Sequence, residues 1–303
     1  MTDLILHHYD ASPFTQRVLR MLGIKGLEWR SVTTPMMPPK DDLVALTGGY
    51  RGTPVLQIGA DVYVDSQRIA RELEARFPHP TLFPDGNQGL ACAAVKWADA
   101  FFRAGLNLAI ATTSTAWPEE FRRDRQCLFP DIDFDAVDAE HARAQLRAHA
   151  GFIELQLADG RDFLPGAAPG LFDVHAWTVP WFTRASIPGV DELFASFVHM
   201  KAWEGRIAAL GEGRRRECTA DEAFAVARAS TPQQGVVETG DAQAGLRPGM
   251  RVEVAPDDTR RGAVLGQIHA LSWNEVAVRR ADPRCGEVVV HFPRLGYHLR
   301  RVD

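Results

Sequence analysis

The hydrophobic pattern changes period along the chain. Residues 3–9 (DLILHHY) form an apolar run of strand length, in which His7 and His8 are expected to alternate faces with one packing inward. SPFTQRVLRMLGIKG then places Phe14, Val18, Leu19 and Leu22 at helical spacing. Ser12 is a favoured N-cap, Pro13 suits the first helical position, and Gly23 or Gly26 ends the helix. LEWRSVTT reads as a second strand, and PMMPPKDD as an irregular loop that no helix crosses. TPVLQIG and DVYVD read as a strand pair turned at Gly59-Ala60-Asp61. SQRIARELEARF reads as a helix with Ile69, Leu73 and Phe77 on one face. The order is β-α-β, a loop, then β-β-α.

HPTLFPDGNQG is rich in turn formers and reads as a linker. Residues 90–228 then read as helical almost throughout, closing on TADEAFAVARAS with Thr219 as its cap. WPEEFRRDRQCLFPDIDF interrupts that segment as an irregular lid or a broken helix. After GVVETGDAQAGLRPG, read as a linker, the pattern turns to β. MRVEVAP, RGAVLGQIHALS, EVAVRRAD, GEVVVHF and YHLRRV are short strands separated by turn residues. The expected architecture is α/β, then all-α, then small all-β: residues 1–84, 90–228 and 246–303, the last a small closed barrel of the Src-homology-3-like kind.

Composition narrows the function classes. The 303 residues carry a formal net charge of −5, which does not favour a nucleic-acid surface. The basic run Arg214 to Arg216 is short, is flanked by acidic residues, and reads as a solvated loop. The mixture of aromatic and basic residues in VVVHFPRLGYHLRRV is better suited to packing or assembly. The four cysteines, Cys92, Cys127, Cys218 and Cys285, have no metal-ligand spacing. No secretory signal and no membrane-spanning run are read, so a cytoplasmic protein without a metal is expected.

A strand-helix-strand, strand-strand-helix segment followed by helices resembles a cytosolic glutathione transferase over residues 4 to about 212. SPFTQRVLRMLGIKG resembles that family's active-site turn and helix, and GTPVL the segment with its cis-proline. VDSQRIARELEARFP resembles the acidic-serine turn that binds the γ-glutamyl end of glutathione. FLPGAAPGLFDVHAW and VHMKAWEGRIAAL resemble its later helices. The resemblance implies a thioredoxin-like first domain, glutathione as co-substrate, a small hydrophobic electrophile, a homodimer and a role in detoxification. It makes Ser12 the thiolate's partner, with Tyr9 as runner-up. A cis Thr53-Pro54 bond turns the Thr53 backbone towards the cysteinyl amide. Ser66 takes the γ-glutamyl carboxylate, Asp65 the ammonium with help from Gln67, and Lys40 the glycyl carboxylate. Trp117, Phe121 and Phe129 are candidates to line an electrophile site between the first two domains. Isomerase or dehalogenase chemistry on the same thiol, or a scaffold that has lost catalysis, are the alternatives.

Each motif has a plainer reading beside the chemical one. Ser12 and Asp65-Ser66 are good helix caps in any protein, Pro54 is acceptable at a strand start, and aromatic residues more often fill cores. Cysteine-using members carry cysteine where Ser12 stands, so mixed-disulfide chemistry is not expected. Asp173 is read as structural, with Gly170 in place of the hydroxyl residue that completes a capping box.

Overall fold

The computed structural model describes residues 3–236, 238, 245–258 and 262–302. The chain runs β1 (Ile5–His8), α1 (Pro13–Lys25), β2 (Glu28–Thr33), α2 (Asp41–Thr47), β3 (Val55–Ile58), β4 (Asp61–Val64) and α3 (Ser66–Arg76). The helices α4 (Gln88–Thr113), α5 (Glu119–Leu128), α6 (Ala139–Leu157), α7 (Leu171–Ser186), α8 (Asp191–Phe194) and α9 (Val198–Ala209) follow. Next come β5 (Arg214–Glu217), α10 (Ala220–Arg228), β6 (Arg251–Pro256), β7 (Val264–Leu271), β8 (Glu275–Asp282), β9 (Gly286–Pro293) and β10 (Tyr297–Arg301). Two compact units result: Met1–Val18, Glu28–Ala75 and Arg214–Asp303 form one, Leu19–Leu27 and Arg76–Gly213 the other.

The first unit is built on one sheet, ordered β10-β6-β7-β8-β9-β4-β3-β1-β2-β5. Its thioredoxin-like part is β1 parallel to β2, with β3 and β4 added antiparallel. The five C-terminal strands form an antiparallel meander in which β10 returns to pair with β6. That strand-rich region is not set apart from the N-terminal half, because β9 pairs in parallel with β4, Tyr63 opposite His291. One apolar core crosses the junction: Val62 and Val64 of β4 pack in the same cluster as Val252, Val278, Val290 and Phe292. A backbone edge on β4 with buried side chains on both faces needs a partner strand, and β9 supplies it. The linker expected before these strands lies outside the described residues over 239–244.

Several local expectations change. Arg214 to Arg216 form not a loop but β5, an edge strand paired in parallel with β2. Its side chains remain largely exposed, Arg214 Nε donating to Glu28 Oε1 at 2.9 Å, and such charges suit an edge that must not recruit another strand. The proline-rich loop stops at Lys40, and α2 follows it, ended by Gly48 at φ +84°. Both His7 and His8 are buried, because both faces of β1 are covered. α10 is capped as expected, Thr219 and Glu222 forming a reciprocal box, but it belongs to the first unit. Ala223 packs against Ile5 and Val32, while Phe224 and Ala227 join the core shared by β4 and β9.

The second unit is helical, with α4 packed on α6 and α7, and α9 packed on both of those. Phe101, Leu106 and Ile110 of α4, Leu146 and Ile153 of α6, and Trp203 of α9 are buried at its centre. Among the described residues no helix is long and apolar enough to cross a membrane.

Candidate functional site

Register explains how three sequence motifs reach one place. In β1, β3 and β4, His7 lies opposite Val55, and Val55 opposite Val64. β1 leaves this row towards Tyr9 and Ser12, β3 enters it from Thr53-Pro54, and β4 leaves it towards Asp65-Ser66. All three therefore meet at one end of the sheet, the end at which α1 and α3 begin.

The turn after β1 is closed by the Ser12 N–H donating to the Tyr9 carbonyl at 3.1 Å, and the Gln16 side-chain amide reaches the Asp10 carbonyl at 2.9 Å. Ser12 Oγ accepts from the Thr15 N–H at 3.2 Å, so the side chain caps α1, and it is only 2% exposed. A hydroxyl that accepts in this way keeps its own proton to donate. Lys40, also buried, sits with its ammonium 5.3 Å from the centre of the Tyr9 ring. His8, next to this turn, bonds Ser31 Oγ through Nε2 at 3.0 Å, and burial, partly offset by Asp10, lowers its pKa to about 4. It is neutral at neutral pH.

The Thr53-Pro54 bond is cis. Pro54 is buried and Thr53 partly exposed. Asp65 stands at φ +72°, a left-handed conformation, and its Oδ1 accepts from the Gln67 N–H at 2.9 Å, opening α3. Ser66 is buried at the first position of that helix, where backbone N–H groups and the helix dipole favour an anion.

Two further groups adjoin this end, and sequence reasoning missed both. Tyr50 leads into the Thr53-Pro54 turn, and Tyr297 opens β10. The Tyr297 hydroxyl lies 3.3 Å from Asp65 Oδ2 and 3.4 Å from the Tyr50 hydroxyl. Burial first, then Asp65, raises the Tyr50 pKa, and burial with Tyr50 and Asp65 raises that of Tyr297, so both hydroxyls stay protonated. Tyr50 was legible within GGYRGTPVL as a neighbour of the turn. Nothing local marked Tyr297, which reaches Asp65 only through the β4 to β9 pairing.

Asp173, Trp117, Phe121 and Phe129 belong to the second unit. Asp173 accepts from the Leu164 N–H (2.8 Å), the Gly170 N–H (2.9 Å) and Trp203 Nε1 (2.8 Å), tying α7 and α9 together. Burial lifts its pKa to about 6 against those bonds. Only half of a capping box is present, since Gly170 has no side-chain oxygen. Trp117 packs edge-on to Phe121 at 5.2 Å and to Phe134 at 6.1 Å, and Phe129 ends α5. A cleft of about 400 Å³ opens beside β2 and β5, where Cys218 and Glu222 line it, and it contains none of the residues named for glutathione. No grouping of metal ligands occurs among the described residues.

The glutathione S-transferase N-terminal domain model matches residues 6–81. A solved GST-like protein from Pseudomonas syringae is 34% identical, with a TM-score of 0.83 and 100% of both chains covered. The chain belongs to the glutathione S-transferase superfamily. Within that superfamily, glutathione transferase GSTFuA3 from Phanerochaete chrysosporium is 19% identical with a TM-score of 0.58, covering 69% of this chain and 97% of its own. Glutathione S-transferase CsGST63524 of Ceriporiopsis subvermispora, solved in complex with glutathione, is also 19% identical, with a TM-score of 0.56 over 69% of this chain and 96% of its own. Those two share the fold but lack part of this chain's length, whereas the Pseudomonas protein spans all of it. None of the curated proteins matches the sequence.

Proposed function

We propose that this protein is a glutathione transferase that adds the glutathione thiolate to a small hydrophobic electrophile, with the Ser12 hydroxyl donating to the sulfur. The observation that carries this reading is the shared row His7, Val55, Val64, which gathers Ser12, Thr53-Pro54 and Asp65-Ser66 at one end of the sheet. The γ-glutamyl carboxylate would meet Ser66 and the first N–H groups of α3, the ammonium would meet Asp65 beside Gln67, and the cysteinyl amide the Thr53 backbone. Lys40 takes the glycyl carboxylate.

The magnitudes suffice. A thiol of pKa about 8.5 must be lowered by about two units, which needs roughly 2.7 kcal/mol. A hydrogen bond to a charged group gives about 1.5–3 kcal/mol, and a helix N-terminus about 0.3–1 kcal/mol. Ser12 at the head of α1 combines the two. Nothing in this balance requires a general base, and His8 is held neutral by burial.

The test is calorimetric titration with glutathione followed by ultraviolet detection of the bound thiolate against pH. Ser12→Ala is expected to raise the bound thiol's pKa by about one to two units, and Tyr9→Phe to leave it unchanged. A second reading has its own observation: Ser12 Oγ already accepts from the Thr15 N–H. If Ser12 is a cap alone and the protein a catalytically weak binding module, Ser12→Ala costs about 1 kcal/mol of stability and the thiol's pKa stays where it was. Absence of any heat at millimolar glutathione ends both. We also propose that the protein is a cytoplasmic homodimer, for which light scattering must give twice the chain mass of 33.5 kDa.

A further inference from the structure

We propose that Tyr297, on the C-terminal strand β10, is a positioning residue of the glutathione site: its hydroxyl orients the Asp65 carboxylate that receives the ligand's γ-glutamyl ammonium. The inference rests on the reading above that Asp65 and Ser66 hold that end of the tripeptide.

The Asp65 carboxylate is held from two sides. Its Oδ1 accepts from the Gln67 N–H of its own helix at 2.9 Å, and its Oδ2 lies 3.3 Å from the hydroxyl of Tyr297, 232 residues further along the chain. A carboxylate can only accept, so the Tyr297 proton belongs on the line to Asp65. The neighbouring Tyr50 hydroxyl lies 3.4 Å from that of Tyr297. Both phenols remain protonated across the working pH range, because burial and the nearby carboxylate disfavour a second negative charge. The hydroxyl thus donates to Asp65, and a neutral donor on a carboxylate favours its charged form.

The ring of Tyr297 is itself fixed. It packs at 5.5 Å on Phe292, which is fully buried, and at 6.5 Å on Tyr50. The backbone beneath Tyr50 is clamped by the same region: Gly49 stands at φ +136°, and a Cβ there would come within 2.6 Å of the Ala263 carbonyl. The C-terminal strands thus press on both the loop that leads to Thr53-Pro54 and the residue that opens α3. A group fixed by packing and bonded to an ion-pairing carboxylate preorganises it, which lowers the ordering cost at binding.

The experiment compares two ligands on the full-length protein: glutathione, and the analogue whose γ-glutamyl amine is replaced by hydrogen. Tyr297→Phe keeps the ring and removes only the hydroxyl. Its Kd for glutathione is expected to rise about fivefold, the worth of one ordinary hydrogen bond, while its Kd for the amine-free analogue stays within about twofold of wild type. The penalty for deleting the amine therefore shrinks in the variant, which a general loosening of the fold does not produce. Should Tyr297→Phe melt early, Tyr50→Phe must show the same selective loss at smaller size. Equal weakening of both ligands, or of neither, overturns the role of Tyr297 and spares the site. Failure of the wild type to bind glutathione overturns the site itself and this inference with it.

Discussion

Two buried histidines in one sheet have pKa values displaced in opposite directions, and their neighbours decide it. His7, on the β1 to β3 seam, bonds Gln57 Oε1 through Nε2 at 3.0 Å. The Gln57 amide is already committed to the carbonyls of Gly59 and Ala223, so its oxygen faces His7 and the ring donates. With a neutral partner, burial prevails and lowers the His7 pKa to about 4. His291, on the β4 to β9 seam, lies between Asp61 at 2.9 Å and Glu275 at 2.6 Å. Burial opposes its protonation too, but the two carboxylates outweigh burial and raise its pKa. Arg68 then bonds both Glu275 and Glu72, at 3.1 and 2.9 Å, and His291 with Arg68 holds Glu275 down to about 2 against burial. Burial alone therefore predicts the direction of the shift at His7 and the wrong direction at His291. The seam between strands distant in sequence is charged, and the seam beside the β3 to β4 hairpin is not.

The largest expected effect breaks the charged seam. His291→Leu leaves Asp61 and Glu275 buried with their central cation gone, which costs about 3–5 kcal/mol in urea unfolding. His7→Leu leaves only the Gln57 oxygen without its donor, and the expected cost is about 1–3 kcal/mol. If the two variants lose equal stability, the seams do not differ in the way their geometry indicates.

The same pair separates by pH, with opposite signs. His291 has a raised folded pKa, so its contribution is complete below 6.5 and is lost as pH climbs through the raised value. His7 is depressed to about 4, so its contribution is complete above 6.5 and is lost as pH falls towards 4. The stability gap between wild type and His291→Gln should therefore narrow above pH 6.5. The gap to His7→Gln should narrow below 6.5. Guanidinium midpoints measured across that range check both, and gaps that move in the same direction contradict the assignment.

What the sequence showed, and what it hid, follows the same division. Ser12, Pro54, Asp65 and Ser66 sit at turns whose chemistry is local: caps and a proline at a strand start. Their meeting follows from β-α-β and β-hairpin connections, which are readable as patterns. The five C-terminal strands were legible for the same reason. The β4 to β9 pairing was not, because Tyr63 and His291 carry no mark of each other and a parallel partner can come from anywhere in the chain. Tyr297 was hidden with it. α2 was hidden by brevity and by Pro38-Pro39 just before it, since seven residues with Leu43 and Leu46 inward scarcely show a period. β5 was hidden by its charge: Arg214 to Arg216 lie on an edge, where alternation of apolar and polar residues has no core to serve.

The smallest expected effect is also the control for the comparison. α10 lies over both seams, Ala223 with Ile5 and Val32 on one side and Phe224 with Val62 and Val290 on the other. Its start is fixed by the Thr219 hydroxyl accepting from the Glu222 N–H at 3.2 Å, with Glu222 Oε2 taking the Thr219 N–H at 2.7 Å. Thr219→Ala removes the first of these and the hydroxyl's own bond to Glu222 Oε2 at 3.0 Å, and loosens the first turn without touching either histidine. The expected loss is about 1 kcal/mol, and it should be the same at pH 5 as at pH 8. Thr219 does not titrate, and Glu222, which the Thr219 bonds hold below its usual range, titrates below this window, so a pH-dependent loss here would mean that α10 is coupled to one histidine more than to the other. The opposite slopes expected at His7 and His291 would then belong in part to the helix above them rather than to their own partners.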